Sequence, residues 1–127
     1  MKHTRKKPTD AELAILGVLW QRGPSTVRQV AESLDRDTGY TTVLKLLQIM
    51  TAKGSVTRNE DARAHVYAAR QPEENTKRQL VGDLLQRAFS GSASQLMMHA
   101  LAGKKTSAEE IEEIRRMLDE YEGRTPR

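Results

Sequence analysis

The feature that most constrains this chain is a change of hydrophobic period between Lys53 and Val66. Up to Lys53 the apolar residues recur at helical spacing. Beyond Gly54, "SVTRN" and "AHVYA" read as short β-prone stretches with "EDAR" between them, the pattern of a hairpin. In "PTDAELAILGVLW", Thr9 with Glu12 makes a capping box, and Asp10 suits the positive end of a helix. Leu13, Leu16 and Trp20, with Ile15 and Leu19, form one broad apolar face, which predicts a helix over about 10–21 that "RGP" stops. Ser25 is expected to cap a second helix in "TVRQVAESL", where Val27, Val30, Ala31 and Leu34 keep helical spacing. "DRDTG" is a short polar turn. A third helix then runs from about Tyr40 to Lys53, with Val43, Leu46, Leu47 and Met50 inward and Gly54 at its C′ position. Three helices followed by a hairpin, the last two helices joined by a short turn, is the order of a winged helix-turn-helix.

The remainder returns to helical period. "ARQPEEN" marks a boundary, so residues 1–71 are read as a winged-helix DNA-binding domain and 72–127 as a small helical dimerisation domain. Helices are expected at about 73–89, 92–102 and 108–121, punctuated by Gly91 and Gly103, with Ser107 and Glu110 as a second capping box. The last carries a clear stripe of Ile111, Ile114, Met117, Leu118 and Tyr121, and its other faces are nearly all charged. Three short amphipathic helices bury such stripes poorly alone. Pairing with a second copy through Leu84, Leu101, Ile111, Ile114 and Leu118 is the expected solution. The fold class is therefore mainly α.

Composition sharpens this reading. Residues 1–71 hold 12 Lys/Arg against 7 Asp/Glu, a charge of +5; residues 72–127 hold 9 against 10, or −1. A basic front half joined to a near-neutral back half suggests a polyanion-binding domain attached to something else. The chain has no cysteine, which removes disulfides, thiol catalysis and thiolate metal sites. Its three histidines, His3, His65 and His99, fall in an arm, a strand and a distant helix without metal-ligand spacing. With no nucleophile elbow and no phosphate-cradling glycine loop, neither an enzyme nor a cofactor is expected. No apolar run approaches the roughly 20 residues of a spanning helix, so no membrane insertion is expected and a cytoplasmic protein is the default.

The candidate site is the polar entrance of the third helix. Tyr40, Thr41, Thr42 and Lys45 lie away from the Val43, Leu47 and Met50 stripe, at the end that a recognition helix presents to base edges. The competing local reading is that Thr38 or Thr41 caps the helix and Tyr40 packs nearby. Arg63 in the hairpin loop and Arg58 on the strand before it are expected to track the DNA backbone, although Asp61 offers Arg63 a local partner. Arg28 can hold a phosphate near the start of the second helix, or pair with Glu32 four residues on. "KHTRKK" reads equally as a flexible basic arm or a solubilising end.

Together "TDAELAILGVLWQRGPSTVRQVAESL", "GYTTVLKLLQIMTAKGSVTR" and the "RAHVY" of the hairpin resemble the penicillinase-repressor family, which has methicillin-resistance and copper-responsive branches. The match is specific over about residues 8–72 and looser beyond. The resemblance implies a homodimeric winged-helix repressor that binds a pseudo-palindromic operator and blocks transcription, here of antibiotic-resistance or stress genes. In the β-lactam branch a membrane sensor-protease pathway ends in cleavage of an Asn-Phe bond in the C-terminal domain. The corresponding place here is about His99 and Ala100, so that motif is absent. The copper branch's cysteine motif is absent too. A ligand-sensing regulator with an apolar pocket at the domain junction, or a winged-helix protein-interaction module, stays open beside this reading.

Overall fold

The computed structural model describes residues 7–34, 38–61 and 63–124. Most of the "DRDTG" turn and of the basic arm, with His3, therefore lies outside the described residues. The element order is α1 (Asp10–Arg22), β1 (Ser25–Thr26), α2 (Val27–Ser33), α3 (Tyr40–Lys53), β2 (Val56–Asn59), β3 (Val66–Ala69), α4 (Glu73–Phe89), α5 (Ala93–Ala102) and α6 (Ala108–Arg124). This is a winged helix followed by helices. It packs as two units, Met1–Val81 and Gly82–Arg127.

In the first unit the helical stripes meet as expected. Ile15, Leu16 and Leu19 from α1, Val27 and Val30 from α2, and Val43, Leu47 and Met50 from α3 join Val56 and Tyr67 of the wing in one buried cluster. Each such side chain contributes about 1.5–3 kcal/mol by leaving water. The capping box is formed: the Thr9 hydroxyl accepts from the Glu12 amide, and the Thr9 amide donates to Glu12 Oε1, both at 3.2 Å. Arg22 at the end of α1 donates to Ser33 Oγ at 2.9 Å, tying α1 to α2. The Trp20 indole donates to the Gln71 carbonyl at 3.0 Å and so ties α1 to the segment after the wing. Gly54 ends α3 at φ +86°, a left-handed conformation that glycine adopts without a Cβ penalty.

The sheet departs from a plain hairpin. Its order is β1-β3-β2, with β1 antiparallel to β3 through Ser25↔Tyr67 and Thr26↔Val66. Ser25 is therefore a strand residue, not the helix cap: it is 1% exposed and donates to the Gly23 carbonyl at 2.8 Å. The cap of α2 is Thr26, in a reciprocal box with Gln29. A two-residue strand has no alternation to reveal it, and adjacent hydroxyls serve equally as cap candidates. The wing loop is also longer than four residues. β2 ends at Asn59, whose Oδ1 accepts from the Asp61 amide at 2.8 Å, and pairing resumes only at Val66. Local side-chain bonding of this kind ends a ladder. His65 accordingly sits in the loop rather than in a strand.

Glu12 is 4% exposed, and Lys53, from the last turn of α3, donates to its Oε1 at 2.8 Å. Removing one partner strands a buried charge. Lys53→Met is expected to lower stability by about 2–3 kcal/mol, read as a lower denaturant midpoint at unchanged slope.

In α4–α6 the segments match the sequence expectation closely, and the capping differs in one detail. Ser107 Oγ accepts from the Glu110 amide at 3.1 Å, but the Glu110 carboxylate lies 3.6 Å from Lys104 Nζ rather than closing the box. Neither α5 nor α6 has a buried residue. Leu84, Leu101 and Leu118 are exposed, as are Met98 and Tyr121, while Ile111 and Ile114 are half-buried.

Candidate nucleic-acid interface

The outward face of α3 follows from its own inward stripe. Val43, Leu47 and Met50 are fully buried, so helical spacing turns Thr41, Lys45 and Gln48 to solvent along one line, with Thr42 and Ile49 beside it. Tyr40 is half exposed at the first turn. The N-cap of α3 is Gly39, which makes no side-chain capping bond. The hydroxyls of Tyr40, Thr41 and Thr42 are thus not engaged in starting the helix, and among the described residues they make no hydrogen bond at all.

Beside this face the fold makes an open groove. Its walls are Thr26, Val27 and Arg28 at the start of α2, Tyr40 and Leu44 of α3, Arg63, Ala64 and His65 of the wing loop, and Tyr67 of β3. Arg28, Tyr40 and Arg63, far apart in sequence, are brought together here. Among the described residues Arg28 forms no ion pair with Glu32, nor Arg63 with Asp61, and Lys45 has no carboxylate partner. All three cations are exposed. Arg58 differs. It lies opposite Tyr67 in the ladder, with its Nη2 2.6 Å from Glu60 Oε2. The Tyr67 hydroxyl, then the Glu60 charge, raise its pKa above the usual arginine value. Arg58 therefore already has a carboxylate partner.

The structure also puts Gln48 on the Thr41–Lys45 line, and His65, which the sequence reading places in a strand without a role, in the groove. Gln48 is legible from spacing, since it lies seven residues after Thr41. His65 was not, because its place depends on where the ladder breaks.

His99 and Ala100 lie within α5 and are exposed, with the His99 ring 5.5 Å from that of Phe89. A cavity of about 60 Å³ beside Glu12, Trp20, Lys53, Ser55, Gln71 and Thr76 has room for only a few atoms. Among the described residues every buried side-chain polar atom has a hydrogen-bond partner. No helix among the described residues is long and apolar enough to cross a membrane.

A helix-turn-helix whose second helix presents hydroxyls, an amide and a cation, braced by a three-stranded wing that adds arginines, defines a winged-helix protein of the nucleic-acid-binding class. Comparison narrows that class: the family model described as penicillinase repressor matches residues 8–120, and the chain belongs to this family. It is 38% identical over 117 residues to the transcriptional regulator BlaI of Mycobacterium tuberculosis, covering 89% of this chain and 83% of the relative. It is 24% identical to the penicillinase repressor of Bacillus licheniformis, over 91% of this chain and 92% of that protein. The methicillin resistance regulatory protein MecI of Mammaliicoccus sciuri is 21% identical, over 87% and 92%.

Proposed function

We propose that this protein is a dimeric transcriptional repressor that occupies a pseudo-palindromic operator and excludes polymerase from the promoter. Its relatives are regulators and repressors of transcription, and the protein is a regulator rather than an enzyme. The observation that carries the DNA-binding reading is the solvent-facing line of α3 beside a groove holding two arginines without acidic partners. In this reading Thr41, Thr42, Lys45 and Gln48 lie against base edges in the major groove. Hydroxyls donate or accept there, threonine methyls touch thymine methyls, lysine reaches guanine, and glutamine suits adenine. Arg28, Tyr40 and Arg63 hold the adjoining backbone, which positions the domain without reading sequence. Arg58 supports the wing through Glu60 and contributes to the field rather than to a direct contact.

Dimerisation follows from the apolar residues that α4–α6 leave exposed, Leu84, Leu101 and Leu118 among them, and two-fold symmetry then makes the operator a dyad. The names of the relatives support a role in antibiotic-resistance control. Release by a membrane sensor-protease pathway is the finer reading. Here it would act on His99–Ala100, inside α5 and without the Asn-Phe pair, so a different bond or a different signal is expected.

Selection from a random-sequence duplex pool tests the assignment. The wild type is expected to recover a dyad, whereas Thr42→Ala or Lys45→Ala recovers a degenerate one, each lost base contact costing about 1–3 kcal/mol of discrimination. Recovery of the same dyad by Thr41, Thr42 and Lys45 variants would place the reading surface elsewhere.

A further inference from the structure

We propose that His65 is an acid-responsive phosphate ligand of this interface, so that operator occupancy depends on pH. The inference rests on the DNA-binding reading above and adds a residue and a regulation to it. His65 lines the groove together with Arg28, Arg63, Thr26 and Tyr40. Its ring is exposed and makes no hydrogen bond, ion pair or ring contact among the described residues, so it is neither a satisfied structural histidine nor part of the core.

The charged and titratable groups that line the groove with it come from four places in the fold. Arg28 comes from α2, Tyr40 from α3, the buried Tyr67 from β3, and Arg63 from the loop that carries His65. No carboxylate is among the lining residues, and Glu60 is paired with Arg58. In the proposed complex a phosphate entering this groove has the imidazole as a third basic group beside the two arginines.

Histidine is the side chain that changes charge near neutral pH, ordinarily around pH 6.5. Neutral, His65 offers a phosphate one N–H donor; protonated, it offers a donor with a full positive charge. A phosphate in the groove favours the protonated ring, and by reciprocity protonation favours the phosphate. Binding therefore strengthens as pH falls through the histidine range, and the gain is lost as pH rises through it. A contact adding about threefold per protomer compounds to about tenfold for a dimer, and the salt slope steepens by about two.

The test is binding of the full chain to a fluorescein-labelled duplex recovered from the random pool, measured by anisotropy from about pH 8 to about pH 5.5 at several salt concentrations. Wild type is expected to tighten about tenfold across that range. H65Q is expected to bind at the wild-type high-pH level throughout. H65R, permanently charged, is expected to bind tightly and evenly at every pH. H3Q and H99Q are expected to keep the wild-type response. The proposal is overturned if H65Q still tightens with acid, or if the response disappears in H3Q or H99Q instead. Wild-type binding that is flat with pH overturns His65 alone. Failure of the wild type to bind any duplex at any pH overturns the DNA-binding reading beneath it.

Discussion

The double variant Ile114→Asp with Leu118→Asp is expected to sediment as a monomer at concentrations where the wild type is a dimer. Its operator affinity is expected to fall by about 10²- to 10⁴-fold, the avidity that two linked half-site contacts supply. The reason is the state of α6. Its apolar stripe runs from Ile111 through Ile114 to Leu118 and Tyr121, yet no residue of the helix is buried within the chain, and Leu118 is 52% exposed. A stripe of this size on an otherwise charged helix is a poor solvent-facing surface, and in the proposed dimer a second copy covers it. Aspartate at two positions four residues apart puts charge into the apolar stripe, and burying that charge without a partner is costly. The winged-helix unit has its own core of α1–α3 and wing residues, so the variant should keep its secondary structure and weak half-site binding. A wild type that sediments as a monomer at micromolar concentration, or a double variant that still dimerises, would remove this interface.

Arg28→Ala combined with Arg63→Ala is expected to weaken duplex binding by about a hundredfold at low salt, with little change in which sequence is preferred. The logarithmic salt slope should become shallower by about two to four for the dimer, close to one for each phosphate contact removed. Both guanidinium groups are exposed, both line the groove, and among the described residues neither has a carboxylate to neutralise it. Arg58→Ala is the built-in comparison. Because Arg58 already pairs with Glu60 at 2.6 Å, its loss is expected to remove no direct phosphate contact. A smaller change in slope is expected. Equal slopes for the three arginines would show that the groove is not the backbone contact.

Much of the winged helix was legible because its elements announce themselves locally. Thr9 and Glu12 form the predicted capping box, Gly54 takes the left-handed end of α3, and the buried residues of α3 are three of the four expected from its period. The bounds of α3 and α4 coincide with those read from sequence. The exceptions share one cause. β1 exists only because Ser25 and Thr26 lie beside Tyr67 and Val66, about forty residues away along the chain. A strand of two residues has no pattern of its own, so its hydroxyls were read as a helix cap. The wing loop is likewise decided by pairing: β2 stops at the Asn59 turn, and that break moves His65 from a strand into the groove.

The site divides along the same line. Sequence by itself determined that α3 is amphipathic, which residues of it face away from the core, and that the front half of the chain is basic, since period and composition are local properties. Only the tertiary structure decided which cations stand together. Lys53 is drawn to the buried Glu12 and Arg22 is bound to Ser33, while Arg28, Arg63 and His65 share one groove. Charge type is written in the side chain. Whether that charge is available depends on which carboxylate the folded chain brings within a few ångströms of it, and that distance is set by the packing of elements remote in sequence.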